Sequence, residues 1–335
     1  MNNTGYVADI LHFNGFTYQY DNAGHYKIIR DSDCNRAAPS TFYKYYALND
    51  YSVDAITNLY IYATHPNQFN DPMDCFDKLI TFDTKQAVQS FWDCYYEQIC
   101  HDYPNYNKLL EQTQKGFHTE LYRHVGLVSL TPNPANSQMW ALYAQKNGFC
   151  VGFDISKFHF HHFGPFPINY IYDWDYVEPF PISKGSRIAM LYQTNLKDSG
   201  WRFEKEWRLY IPNPEGLDMK SFGPFSERYN RLDDHDRKFR YPFEAIRSIS
   251  FASEFFSPEN RYNISDYEME VRFEPSSLAC KMLNFICEAT RFRDIELRIA
   301  NPQVNEISLI PITIFKLSDT SFRIIETDNI KMRSI

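Results

Sequence analysis

Apolar and polar positions alternate along residues 201–212, with Phe203, Lys205, Trp207, Leu209 and Ile211 on one side and Glu204, Glu206, Arg208 and Tyr210 on the other. A period of two predicts one strand whose aromatic and aliphatic side meets the core. Its other side then carries two carboxylates, a guanidinium and a phenol, spaced about 7 Å apart by the rise of an extended chain. Half-buried strands commonly show such rows to solvent, paired with a neighbouring strand. The row therefore gains meaning only from partners elsewhere in the chain, although the flanking Trp201 and Trp207 argue against a purely solvated strand.

In chain order, residues 1–40 predict an extension built on a hairpin, 16–20 turning at 21–24 into 26–29. Residues 41–46 form a β-branched and aromatic strand. Asn49-Asp50 offers an N-cap, and Val53, Ile56 and Leu59 give helical spacing before a strand over 59–62. Residues 63–74 are rich in turn formers, and Asn70, Asp71 and Asp74 read as turn builders; they lack the Gly and downstream Glu of a calcium loop. Residues 83–123 predict two helices broken at Pro104, an inserted helical hairpin. A strand over 125–131 puts Ser129 and Thr131 on one face. A helix over 138–147 follows, with Ser137 as N-cap, a buried stripe of Met139, Leu142 and Tyr143, and an Asn147-Gly148 C-cap, and then a strand over 148–154. Beyond it the pattern gives a strand at 168–174, a helix at 182–194, the carboxylate strand and a surface excursion over 213–243. A strand at 246–251, a helix at 278–291 and strands at 295–299 and 308–315 close the chain, leaving 318–335 as a tail. Mixed helices and strands without a βαβ repeat predict an α+β fold, with one domain over 41–317.

Composition narrows the partners. The 335 residues permit one large domain or two small ones. Aromatic residues reach 17%, with 25 Tyr and 28 Phe, which favours stacking pockets over a leucine-rich bundle. The net charge of -8 does not indicate nucleic acid or an anionic membrane as partner. Seven Cys without a CxxC pair read as free thiols of a reducing compartment, and no apolar run approaches the 18 residues of a membrane span, so a soluble cytoplasmic protein is expected. His159 and His161 would project together, with His162 beside them, yet no carboxylate or thiol at a familiar spacing completes a set. No metal site is expected.

Four blocks together resemble a bacterial family known as domain of unknown function 2971. They are Tyr43-Lys44-Tyr45; Phe69-Asn70-Asp71-Pro72-Met73-Asp74; Ser129-Leu130-Thr131 with Met139-Trp140, Tyr143 and Gly148-Phe149; and Lys197, Trp201, Glu204 and Glu206-Trp207-Arg208. More distantly, the order of residue types is similar to that of ADP-ribosyltransferases. Those enzymes split a small sheet around an NAD cleft, with a basic residue or His on a first strand, Ser or Thr on a second, and Glu or Glu-x-Glu on a later one. The resemblance implies split mixed or antiparallel sheets around a cleft, with NAD as substrate. It implies Glu206 as the catalytic carboxylate, Glu204 on the acceptor side and Ser129 in support. Lys44 (or Tyr45) stands where that family carries Arg or His; Tyr43, Tyr62 or Trp140 would stack on nicotinamide, and Thr131, Arg208 and Asn70 complete the NAD-binding set. Such an enzyme would modify a macromolecular acceptor or hydrolyse NAD, as a toxin or defence effector. Two alternatives remain open: a hydrolase or nuclease holding magnesium on Asn70, Asp71, Asp74, Glu204 and Glu206, and a nucleotide-binding module without catalysis.

Overall fold

One strand separates two apolar cores. The computed structural model of the chain describes residues 9–20, 25–33, 38–82, 125–184, 186–212, 237–256, 261–291, 293–304 and 306–327. The expected helical hairpin over 83–123, the turn at 21–24 and most of the 213–243 excursion lie outside the described residues.

The chain opens with an antiparallel meander, β1 (Asp9–Phe13), β2 (Phe16–Tyr20) and β3 (Tyr26–Arg30), one strand more than the hairpin expected there. Next comes β4 (Phe42–Tyr46), then α1 (Asp50–Thr57). The Asn49 side chain accepts from the Ser52 backbone N–H and the Ser52 hydroxyl accepts from that of Asn49, so two otherwise orphaned donors are satisfied at the start of α1. After α1 come β5 (Tyr60–Tyr62), β6 (Ile80–Thr81), β7 (Val125–Leu130), β8 (Phe149–Phe153), β9 (Phe163–Pro167), β10 (Asn169–Ile171) and β11 (Phe180–Pro181). A helix over Ser186–Asn195 leads into β12 (Leu196–Asp198) and β13 (Trp207–Pro212). The C-terminal part supplies β14 (Lys238–Arg240), β15 (Ile246–Ala252), β16 (Arg261–Ser265), β17 (Glu268–Arg272), the helix Leu278–Ala289, β18 (Glu296–Pro302), β19 (Ile307–Lys316) and β20 (Ser321–Glu326).

These strands build an eight-stranded sheet in the order β16-β17-β20-β19-β18-β15-β8-β4, antiparallel except where β15 runs parallel to β18. The sheet is larger than the small sheets expected, and β20 falls within the segment expected as a tail. A three-stranded sheet, β7-β13-β9, meets its edge through backbone bonds between Tyr43 of β4 and Thr131, just past β7. Among the described residues the architecture is α+β, with several open sheets and few helices.

Two expectations about local structure are corrected. The period-two pattern over 201–212 does not make a single strand. Ser199–Glu204 is a 3-10 turn, started by the Asp198 side chain accepting from the Gly200 N–H, and Lys205 takes a left-handed backbone (φ 48°) before β13 begins. Moreover, β13 is buried on both faces. Leu209 and Ile211 enter the core beneath the helix Leu278–Ala289, while Tyr210 enters a second core with Leu127, Phe166 and the helix Ser186–Asn195. The second correction concerns the helix expected over 138–147. Asn136, not Ser137, is the N-cap, because its side chain reaches the N–H groups of both Gln138 and Met139. The helix then widens into a π-helical turn over Trp140–Ala144, which turns Leu142 outward, away from the expected buried stripe.

Candidate functional site

A cavity of about 220 Å³ opens where the two sheets meet. From β4 it is lined by Tyr43, Lys44 and Tyr45, from β7 by Ser129, from the loop after β5 by Phe69, Asn70, Asp71 and Asp74, and from the turn before β13 by Trp201, Glu204 and Glu206. Segments far apart in sequence thus converge because β4, β7 and β13 stand side by side. Arg208 faces Ser129 across the β13-β7 pair, and Thr131 bridges to Tyr43.

The carboxylates are not free. Lys197 reaches Glu204 at 2.6 Å and Glu206 at 2.9 Å, and Arg208 binds Glu206 through Nε at 2.7 Å and Asp74 through Nη1 at 2.8 Å. Arg208, fully buried, grips Asp74 with both Nη atoms, donates to the Thr194 carbonyl and stacks over the Phe69 ring. Bidentate pairing of this kind suits a planar guanidinium. Tyr143 donates to Glu204, the Tyr170 hydroxyl accepts from the Glu206 N–H at 2.8 Å, and Lys197 lies 5.2 Å from the centre of the Trp201 ring.

The network drives the two glutamates apart. Burial opposes the charge of Glu206, but Arg208 and Lys197 overcome it and hold the carboxylate well below the usual range, with Ser129 adding a hydrogen bond. Glu204 is pushed up, by burial first and then by the charge of Glu206. Burial would also lower Lys197, yet the two glutamates hold it above the usual lysine range. The site therefore presents an ionised carboxylate beside a more basic one, a pairing that can divide electrostatic and proton-transfer roles.

Lys44 differs from the other cations. Among the described residues no carboxylate lies within salt-bridge distance of it; its nearest acceptor is the Ser129 carbonyl at 3.5 Å, and burial lowers its ammonium despite the charge of Glu206. Asp71 is 8% exposed, and its Oδ1 accepts from the Met73 N–H as expected of a turn builder, while its Oδ2 has no partner among the described residues.

Of the residues singled out from sequence, Tyr43, Lys44, Tyr45, Asn70, Ser129, Glu204 and Glu206 line the cavity. Arg208 stands behind it as the clamp on Glu206 and Asp74. Thr131 is buried outside the lining, its hydroxyl accepting from the Asn133 N–H. Trp140 is also buried outside it, its indole N–H donating to the Pro134 carbonyl and its ring edge-on to Tyr45, so it is not placed to stack on a ligand there. Trp201 and Phe69 do line the cavity, as do Tyr43, Tyr45 and Tyr143. Lys197 and Tyr170 carry much of the geometry without a role assigned from sequence, and Tyr143, expected in a buried helical stripe, lines the cavity and donates to Glu204. The usable signal was a lysine seven residues before Glu204 at the end of a helical pattern. The histidines pack against phenylalanines, His162 near Phe158 and Phe160 and His161 near Phe163. Among the described residues, no group of three or more His, Cys, Asp or Glu has a metal-holding arrangement. No helix there is long and apolar enough to cross a membrane.

Residues 139–209 match the family described as protein of unknown function (DUF2971), in agreement with the resemblance read from the motif blocks. That stretch holds Tyr143, Lys197, Trp201, Glu204, Glu206 and Arg208, most of the buried network. No curated protein and no solved structure matches the chain.

Proposed function

With the core of its ionic network in a DUF2971 segment, a family described without an activity, we propose that this chain is an ADP-ribosyltransferase-like enzyme that takes NAD as substrate and passes ADP-ribose to a macromolecule or to water. One observation carries the reading: strands β4 and β7 and the turn leading into β13 bring Lys44, Ser129 and the Glu204-x-Glu206 pair to a single cavity, in the order of residue types that such enzymes use.

The chemistry follows from the two carboxylates. As the nicotinamide–ribose C–N bond breaks, its electron pair leaves with nicotinamide and positive charge builds on the ribose. An ionised Glu206, fixed by Arg208 and Ser129, stabilises that charge without reorganising. Glu204, the more basic of the two, receives the proton of the attacking hydroxyl or water. Trp201, Phe69 and Tyr43 supply aromatic surface for the nicotinamide ring, and Lys44 supplies a positive charge for the phosphates.

The same geometry weighs against the magnesium alternative. Lys197 and Arg208 already occupy Asp74, Glu204 and Glu206, the oxygens that a divalent cation would need. The separating experiment is NAD turnover in excess chelator. Nicotinamide release should persist unchanged, and its complete loss on chelation, restored by magnesium, would contradict the proposal in favour of a metal-dependent enzyme.

A further inference from the structure

A second cavity, of about 460 Å³, adjoins the carboxylate pocket, and Lys44, Tyr45 and Gln68 line both. Its character is different. Tyr46, Tyr51, Tyr60 and Tyr62 give it aromatic walls, and no carboxylate among the described residues lines it. Lys238 stands in the wall, its ammonium 4.7 Å from the centre of the Tyr60 ring. Beside it, Asp54 is already held by Lys238, the Tyr60 hydroxyl and Asn58. The first turn of α1 closes another side through Asn49, Tyr51 and Ser52. Tyr51 is 82% exposed, so the face of its ring is open to a ligand.

We propose that this tyrosine groove is a nucleoside-diphosphate subsite: the base stacks on Tyr51 and its neighbours, and the diphosphate lies against Lys44, where the two cavities join. Four properties of the site match that ligand. Stacking on tyrosine accepts any base with a π-face. Lys44 is an ammonium without a carboxylate partner among the described residues, so an anion can take it at no cost in broken ion pairs. The groove volume falls within the usual range for small-molecule sites. Among the described residues the groove presents no carboxylate to oppose a phosphate, whereas the neighbouring pocket gathers Asp71, Asp74, Glu204 and Glu206 around Lys197. A dinucleotide would then span both cavities, with its diphosphate at the junction and its second nucleoside at Glu206. That last extension rests on the NAD reading; the preference of the groove for a nucleoside diphosphate does not.

The test is calorimetric titration of the full chain with ADP and, separately, with inorganic pyrophosphate, for wild type, Tyr51→Ala and Lys44→Met. Both ligands should bind wild type. Tyr51→Ala, an exposed substitution, should weaken ADP about tenfold, as expected for loss of one stacking partner, and leave pyrophosphate within about twofold. Lys44→Met should weaken both about tenfold or more, with Lys44→Arg restoring most of the affinity and all variants melting cooperatively. Absence of ADP binding to wild type at millimolar concentration, or equal ADP affinity in wild type and Tyr51→Ala, would overturn the subsite. ADP binding with these variant effects but no NAD cleavage would leave the subsite standing and remove only the catalytic reading; NAD cleavage without ADP binding would do the reverse.

Discussion

At the scale of single residues, the site depends on which charges are paired. Arg208 neutralises Asp74 and Glu206 in a fully buried setting, so removing it leaves two buried carboxylates with only Lys197 nearby. Arg208→Met should cost about 3–5 kcal/mol in urea unfolding. Lys44→Met, which breaks no ion pair among the described residues, should cost less than about 1 kcal/mol. The two glutamates should respond to acid with opposite signs. Glu206 has a depressed folded value, so its contribution is present above its unfolded value of about 4.3 and lost as pH falls towards the folded one. Glu204 has a raised folded value, so its contribution is present below about 4.3 and lost as pH rises through the folded one. Unfolding free energies measured at about pH 3.5 and pH 7 should therefore show Glu206→Gln losing more at neutral pH and Glu204→Gln losing more in acid. Equal pH dependence in both variants would contradict the charge division on which the mechanism rests. Glu204, Glu206 and Arg208 were legible in sequence because charge stood where hydrophobicity predicts burial, and Ser129 because it shares a strand face with Thr131. From sequence, Asp74 joins the glutamates only as a magnesium ligand and Lys197 only as part of a motif block; their ion pairs were not legible, because only the fold brings the Asp74 loop to Arg208 and Lys197.

At the scale of elements, close backbone approach decides where the strands sit. A Cβ on Gly148 would lie 2.1 Å from the carbonyl oxygens of both Ala144 and Tyr46, so β8 can follow the π-helical turn and pair with β4 only if this residue is glycine. Gly148→Ala should destabilise by at least the few kcal/mol typical of overpacking, measured by thermal unfolding, and a neutral result would show that the turn can relax. Gly152 works on the site more directly. A Cβ there would stand 2.8 Å from Tyr43 Cε1 and 2.5 Å from Ser248 Oγ, both side-chain atoms, so Gly152→Ala should displace Tyr43 and raise KM for NAD with a smaller loss of stability. Element type was largely readable: the Asn49 cap, α1, β4, β8, β15 and the helix Leu278–Ala289 fall where period and capping residues place them. The failure at 201–212 has a local cause. Alternation of apolar and polar residues continues through a 3-10 turn, and neither the Asp198 cap nor the left-handed Lys205 disturbs the pattern. The polar row survives the error because Glu204 and Glu206 share Lys197 and Arg208 holds Glu206.

At the scale of the whole molecule, two sheets joined through β4 and β7 hold the carboxylate pocket against one core and the tyrosine groove against α1. An α+β class was readable from the mixture of periods, but an eight-stranded sheet was not. Strand order depends on non-local pairing, and here residues 42–46 pair with 149–153 and residues 321–326 insert between earlier strands. The bulk charge of -8 likewise says nothing of the two lysines beside the tyrosine groove. What unites these scales is the claim that the convergence on Glu206 exists to break the nicotinamide–ribose bond. The direct measurement is chromatographic release of nicotinamide from NAD by purified protein, with cell lysate supplied as a source of acceptors, comparing wild type with Glu206→Gln. Release by wild type that falls about a thousandfold in the variant, with the variant still folded, is the expected result. Absence of release from wild type with acceptors present, or equal release from both proteins, would contradict the account.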